Sequence, residues 1–164
     1  MGIFKQCSEL IHQLSWRLIN ELAISRIMVF IKDVRLKQYD YGSSGYYFVT
    51  AVCNYRQNFF LNKENLVKTE LLDLAQKIPG LSLDFYSVMP NHIHVIFILK
   101  ECKLKLGEIV RRFKAKVSRS FKNNVWQPNY YEHVIRNEQA LNRMREYILK
   151  NPEEEIIEFK QFYD

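Results

Sequence analysis

The sequence has few cysteines, no long apolar run and no internal repeat. These absences exclude several classes of protein. Its three cysteines, Cys7, Cys53 and Cys102, are an odd number without C-x-x-C spacing, which argues against a disulfide framework and a cysteine zinc site. No apolar segment is long enough to span a bilayer, because charged residues interrupt the N-terminal one. That segment also lacks the cleavage site of a signal peptide. We therefore expect a cytoplasmic protein without a membrane partner.

Acidic residues are in the minority. The 164 residues include 24 Lys and Arg against 18 Asp and Glu, which gives a formal net charge of +6. Such a charge favours polyanionic partners, so nucleic acid is the first partner to consider. Hydrophobic residues make up 48% of the chain and aromatic residues 14%, enough to fill a core and leave some rings for unpaired bases.

We predict three regions along the chain. Residues 1–34 form an N-terminal extension of unknown role, helical because apolar residues recur at helical spacing from Ser8 to Ile24. Residues 35–152 form the main domain, and residues 153–164 form a short C-terminal tail. The total length is typical of one domain with a single core.

The main domain alternates β-rich runs with amphipathic helices. The predicted elements are, in order, a strand over Tyr46–Val52, a helix over Lys63–Ile78, strands over Leu83–Met89 and His92–Leu99, a helix over Leu104–Phe121, a strand over Pro128–Ile135 and a helix from Asn137 to about Asn151. This order is the split βαβ pattern of ferredoxin-like domains. We therefore predict an α+β fold: a ferredoxin-like sandwich whose four-stranded antiparallel sheet carries an extra C-terminal helix. On the first helix, Leu66, Leu71 and Leu72 are placed on the buried side.

Two histidines in the third predicted strand are candidates for chemistry. Side chains alternate along a strand, so His92 and His94 share one face while Ile93, Val95 and Phe97 point into the core. Two imidazoles on a rigid strand can share one metal ion, and imidazole is a common ligand of borderline transition metals. By itself the pair also fits two polar residues on a partly exposed strand face.

The last predicted helix presents a tyrosine beside its apolar stripe. Leu141, Met144 and Ile148 form that stripe, and Tyr147 and Asn151 lie one helical turn apart along its flank. A tyrosine in such a position more often packs against a core, and an asparagine before a proline more often ends a helix. Their spacing alone therefore assigns no role.

Several motifs together give the chain a family resemblance. They are Arg35-Leu36 with Tyr39-Asp40-Tyr41, Gly45 to Thr50 (GYYFVT), Met89 to Ile96 (MPNHIHVI), Trp126-Gln127, Tyr131 to Arg136 (YEHVIR), and Arg145 to Ile148 (REYI) with Asn151-Pro152. With these motifs in order, residues from about 35 to 152 resemble the REP-associated tyrosine transposases. These enzymes are a branch of the HUH single-strand endonucleases, in which U stands for a hydrophobic residue. The first 34 residues have no counterpart in the resemblance.

The resemblance implies roles for the matching residues. It implies that His92, His94 and Asn151 bind a divalent metal ion, Mg²⁺ or Mn²⁺, and that Tyr147 is the nucleophile that forms a 5′-phosphotyrosine. His133 would have a supporting role. Two imidazoles favour Mn²⁺ in affinity, whereas Mg²⁺ is the more abundant ion. The implied substrate is single-stranded DNA with palindromic hairpins, which places the protein at the nucleoid, and a homodimer and a monomer both stay open.

The residues themselves indicate only that the substrate is a polyanion. They carry no signal for a single strand or a hairpin. The candidate DNA-binding residues are basic or aromatic: Arg35, Tyr39, Tyr41, Arg111, Arg112, Lys114, Lys116, Arg119, Trp126, Tyr130 and Tyr131. A basic helix face is usually only solvated, and each of the aromatic residues has core packing as its alternative.

Other functions are compatible with the same residues. A hairpin-binding module of this fold would bind DNA whether or not Tyr147 is intact. A metal-dependent phosphodiesterase would use water in place of the tyrosine and release a free 5′-phosphate. The joint presence of His92, His94 and Tyr147 favours the nuclease and strand transferase. An RNA-binding module is disfavoured, because its stacking aromatic residues would lie on the first and third strands, and the third strand carries histidines.

Overall fold

The computed structural model describes residues 39–150 of the chain. Their elements are, in order, β1 (Gly45–Val52), α1 (Glu64–Lys77), β2 (Leu81–Met89), β3 (His92–Leu99), α2 (Leu106–Phe121), β4 (Tyr131–Ile135) and α3 (Glu138–Lys150). Each predicted strand and helix of this part is present, with ends shifted by a few residues at most. No helix between residues 39 and 150 is both long and apolar enough to cross a membrane. The predicted extension 1–34 and tail 153–164 lie outside the described residues, as do Arg35 and Asn151.

The four strands form one antiparallel sheet in the order β2-β3-β1-β4. The connections β1-α1-β2 and β3-α2-β4 make two split βαβ units, which confirms the predicted ferredoxin-like topology. Because β3 is hydrogen-bonded to a strand on each side, its backbone is held at both edges. Side chains on β3 therefore sit on one of the two central strands of the sheet.

The main core lies between the sheet and the helices α1 and α2. From β3 it receives the side chains that alternation predicted, among them Ile93, Val95 and Phe97. From α2 it receives an apolar stripe, namely Leu106, Ile109, Val110, Phe113 and Val117. The two helices therefore cover the face of the sheet that carries no histidine.

The buried side of α1 differs from the prediction. Val67, Leu71 and Leu74 are buried, whereas Leu66 and Leu72 are 37% and 39% exposed. The prediction was therefore wrong for Leu66 and Leu72. The helix is rich in leucine on more than one side, so its periodicity alone does not select the face that meets the sheet.

The opposite face of the sheet carries α3. Asn137 caps this helix, because its Oδ1 accepts a hydrogen bond from the amide of Ala140 at 2.8 Å. Leu141, Met144 and Ile148 are buried on its inward side. The helix contacts β2 and β4, the two edge strands, so it lies over the central strands between them.

A glycine closes the turn between α1 and β2. Gly80 has a φ of +81°, and a Cβ at this position would lie 2.5 Å from the carbonyl oxygen of Lys100. Any side chain would therefore force this backbone apart. The predicted end of the helix near this glycine is thus set by backbone packing against the residues after β3.

Candidate functional site

His92 and His94 lie side by side on the face of β3 that α3 covers. Their Nε2 atoms are 3.1 Å apart, and their ring centroids are 4.7 Å apart. The register with β1 sets their neighbours, since Val52 lies opposite His92 and Thr50 lies opposite His94. Phe48 stacks on the ring of His94 at 5.5 Å, which helps to leave that histidine only 2% exposed.

Each imidazole is held through its Nδ1 atom. Asn91 Oδ1 lies 2.5 Å from His92 Nδ1, and because an amide oxygen only accepts, the histidine donates. Thr50 Oγ1 lies 2.8 Å from His94 Nδ1. These bonds leave both Nε2 atoms facing one another, and histidines that bind metals commonly carry such a bond on the other nitrogen.

Sequence reasoning missed Thr50 and Asn91. Asn91 could have been found, because it directly precedes His92 and its side chain reaches back to that ring. Thr50 needs the pairing register of β1 with β3, which joins residues 44 positions apart. The local pattern of the sequence carries no signal for that register.

Burial keeps both imidazoles neutral. It lowers the pKa of His92 to about 4, and the positive charge of Arg56 adds to the effect. Burial also lowers the pKa of His94 to about 3, with a further contribution from His92. Both rings are therefore neutral at pH 7. Arg56, in the 3-10 turn Asn54–Arg56 after β1, is a third site residue that sequence reasoning missed.

The two histidines fit a divalent transition metal. Two nitrogens at about 2.1 Å from one ion, at about 90–110° to each other, lie about 3.0–3.4 Å apart. The separation of the two Nε2 atoms is 3.1 Å. Among residues 39–150 no group of three His, Cys, Asp or Glu side chains could hold a metal. The predicted third ligand, Asn151, lies just beyond these residues.

Tyr147 of α3 contacts one of the two histidines, His94. Its Oη lies 3.4 Å from His94 Nε2, and its ring centroid lies 5.1 Å from that of His94 and 5.8 Å from that of Phe48. Both ring contacts are edge-on, and they hold the ring of the half-buried Tyr147 in place. The structure therefore brings together His92, His94 and Tyr147, although His94 and Tyr147 are 53 positions apart.

His133 lies on the same face of the sheet, on β4. It is half-buried opposite Phe48, and burial lowers its pKa with help from the charge of Arg136. One strand, β1, separates it from β3. The supporting role that the resemblance implied for His133 stays a prediction.

The predicted basic residues of α2 lie on the face of the sheet opposite to the histidines. Arg111 Nε and Arg112 Nε each donate to Glu108 at 2.7 Å, and that pairing lowers the pKa of Glu108 to about 2. Arg119 is exposed and contacts its own helix through the carbonyl oxygen of Ala115 at 3.4 Å. The charge of the two paired arginines is thus partly balanced within α2.

Lys116 joins the two helices of the main core. Its ammonium forms ion pairs with Glu70 and, at 2.7 Å, with Asp73, both on α1. These contacts raise the pKa of Lys116 and lower the pKa of each carboxyl group. The residue predicted to contact DNA therefore has a structural role in the described chain.

Lys114 holds the segment that leads into β4. Its Nζ donates to the carbonyl oxygens of Gln127 and Asn129 at 2.6 and 2.7 Å, and burial lowers its pKa to about 8. We expect Lys114→Met to lower the free energy of unfolding by about 1–3 kcal/mol, because both oxygens lose their donor. Arg119→Met, on the same helix but exposed, should change it by less than about 0.5 kcal/mol.

Urea unfolding of the two variants measures this difference. A Lys114→Met variant with unchanged stability and weakened DNA binding would contradict the structural role and support the predicted contact with phosphate. Comparison with Arg119→Met separates the change in stability from the simple loss of one positive charge.

The predicted stacking residues differ in exposure. Trp126 is 4% exposed, packs on Phe60 at 5.1 Å between ring centroids, and donates through Nε1 to a backbone carbonyl oxygen. The ring of Trp126 is therefore part of the core, which was the alternative to stacking on DNA bases. Tyr131 is 8% exposed, and Tyr130 is half-buried against the core.

Tyr39 and Tyr41 belong to a cluster of tyrosines. Their ring centroids are 5.2 Å apart, and Tyr39 Oη lies 3.3 Å from Tyr47 Oη. Tyr47 is near the start of β1, whereas the last residue of that strand lies opposite His92. The structure therefore places this cluster at the end of β1 that is distant from the histidine pair.

The fold and the site define the class. A ferredoxin-like sheet carries the histidine pair on a central strand, and the helix that covers this face carries the tyrosine. A family model described as IS200-like transposase matches residues 42–151, well over half of the chain. The chain belongs to the IS200-like transposase family.

Individual relatives agree with this assignment. The chain is 34% identical to an uncharacterized protein of Haemophilus influenzae (strain Rd), over 74% of this chain and 87% of that one. It is 24% identical to the REP-associated tyrosine transposase of Escherichia coli K12, over 65% of each chain. Among solved structures it is similar to a REP-associated tyrosine transposase bound to a REP hairpin, with a TM-score of 0.63 and 24% identity over 72% of each chain.

Proposed function

We propose that the protein is a metal-dependent single-stranded DNA endonuclease and strand transferase. It cuts beside palindromic hairpins through a 5′-phosphotyrosine intermediate, in the cytoplasm at the nucleoid. The convergence of His92 Nε2, His94 Nε2 and Tyr147 Oη within a transposase domain carries this proposal. The solved relative that holds a REP hairpin supports hairpin DNA as the substrate.

Tyr147 is the nucleophile in this proposal. A free phenol with a pKa near 10 is ionised in about one molecule in a thousand at pH 7, which corresponds to about 4 kcal/mol. A divalent metal held by His92, His94 and Asn151 would supply Lewis-acid polarisation of the scissile phosphate and offset much of that cost.

The bonds that form and break balance without an oxidant or a reductant. The phenol loses its proton, its oxygen bonds to phosphorus, and the bond from phosphorus to the 3′ oxygen breaks. The 3′ oxygen takes up a proton and becomes a hydroxyl group. Because the new ester conserves the bond energy, another 3′ hydroxyl can attack it and release Tyr147. Strand joining therefore needs no ATP.

Neighbouring side chains orient this chemistry. Phe48 contacts the rings of both His94 and Tyr147, so it holds the base of the site and excludes water there. Asn91 fixes the ring of His92 through Nδ1. Arg56 lies close enough to His92 to influence it electrostatically, and its charge favours an incoming phosphate.

A denaturing gel tests the proposal with labelled single-stranded oligonucleotides that carry palindromes from the regions flanking the gene. We expect a slow band of protein joined to DNA in Mn²⁺ or Mg²⁺, lost with EDTA and removed by protease. A free 3′ hydroxyl should appear on the other product. DNA binding without this band in either metal would support the non-catalytic hairpin-binding module. Multiple turnover to a free 5′-phosphate would support attack by water.

A further inference from the structure

Strand β2 contains a bulge that changes which side chains face α3. Leu83 and Tyr86 are three residues apart, yet their partners Phe97 and Val95 on β3 are two residues apart. One extra residue on β2 therefore lies between them, which is the definition of a β-bulge. Both Leu83 and Tyr86 pack against the main core, so Asp84 is free to face the other side of the sheet.

Asp84 binds Arg145 of α3. Arg145 Nη2 donates to Oδ1 at 2.6 Å, and its Nε donates to Oδ2 at 2.8 Å. The third nitrogen, Nη1, donates to Asn142 Oδ1 at 3.1 Å, which braces the guanidinium from the preceding turn. The carboxylate side chain is only 13% exposed. A two-bond pair of this kind fixes the orientation of the guanidinium as well as its distance.

Arg145 and Tyr147 project from different sides of α3. Two steps of about 100° place them about 160° apart around the helix axis, with the apolar stripe on the arc between them. Apolar contacts are non-directional, so the stripe alone would tolerate some rotation of the helix. A rotation of about 20° would move atoms at the outer helix radius of about 5–6 Å by about 2 Å.

We propose that Asp84 and Arg145 are positioning residues that set the rotation of α3 and so place Tyr147 Oη beside His94 Nε2. The catalytic consequence rests on the proposed function, whereas the placement does not. Reacting groups displaced by 1 Å can lose about 100-fold in rate. We therefore expect Arg145→Met to slow adduct formation at saturating DNA by at least about tenfold, with DNA affinity unchanged.

Two further variants make the comparison specific. Arg143→Met removes the same charge from an exposed position of α3, and it should leave the rate unchanged. Arg145→Lys keeps the charge but cannot form the planar two-bond pair, so its rate should lie between those of the wild type and Arg145→Met.

Fluorine NMR tests the placement without DNA or catalysis. With 3-fluorotyrosine in place of Tyr147, we expect one sharp resonance in the otherwise unchanged protein and in Arg143→Met. The resonance should shift or broaden in Arg145→Met and in Asp84→Asn. An unchanged resonance in both variants, with only a lower melting temperature, would make the ion pair merely structural and overturn the inference.

The adduct assay separates this inference from the proposed function. If the wild type forms the adduct and Arg145→Met forms it equally fast, the inference is wrong and the proposed function stands. If the wild type forms no adduct, the proposed function fails. The fluorine resonance then still decides whether Asp84 and Arg145 place Tyr147.

Discussion

Tyr147→Phe is expected to abolish the covalent protein–DNA adduct, with a loss of cleavage of at least about 10³-fold. The phenol oxygen is the only atom removed, and it lies 3.4 Å from His94 Nε2. The ring contacts with His94 and Phe48 stay, because phenylalanine presents the same edge to both. Folding and DNA binding should therefore change little, and a fluorescence titration should give an affinity within about twofold of the wild type.

Tyr86→Phe is the matched control for this variant. Tyr86 packs against the main core, on the face of the sheet opposite to the histidines. It loses the same hydroxyl group and should keep full cleavage. Cleavage that survives in Tyr147→Phe would contradict the tyrosine mechanism and point to water as the nucleophile.

The sequence predicted the parts of the site that depend on local periodicity. Alternation along β3 placed His92 and His94 on one face and Ile93 on the other. Helical spacing placed Tyr147 beside the stripe of α3. These patterns are local because side-chain direction repeats every two residues in a strand and every 3.6 in a helix. The topology followed from the order of the elements.

The contacts that hold the site were not predictable in the same way. Asp84 meets Arg145 across 61 positions, and Thr50 meets His94 across 44. A bulge gives no periodic signal, since it is an interruption of the strand pattern. The partners of a side chain therefore depend on register and on docking of α3, which the pattern of one element does not contain.

The roles of individual basic residues were also not predictable from the sequence alone. The sequence grouped Lys114 and Lys116 with the exposed arginines of α2 because all of them add positive charge. In the folded chain Lys114 binds two carbonyl oxygens and Lys116 binds Asp73 of α1. Net charge predicts the class of partner. The role of each basic side chain, however, depends on the residues that contact it.

His92→Ala is expected to weaken Mn²⁺ binding by at least about 100-fold and to remove the adduct with it. Thr50→Val removes only the hydroxyl group 2.8 Å from His94 Nδ1, so it leaves both histidines in place. Loss of such a supporting bond typically costs about 10–100-fold in metal affinity. The two variants should therefore form a graded series.

Mn²⁺ electron paramagnetic resonance without DNA measures this series directly, because free Mn²⁺ gives a signal that bound Mn²⁺ broadens. His133→Ala is the control, since it removes an imidazole from the same face of the sheet, on β4, which β1 separates from β3. It should keep Mn²⁺ binding. Equal loss in His133→Ala and His92→Ala would place His133 among the ligands. Unchanged Mn²⁺ binding in His92→Ala would show that the histidine pair is not the metal site. The short distance between the two Nε2 atoms would then reflect packing alone.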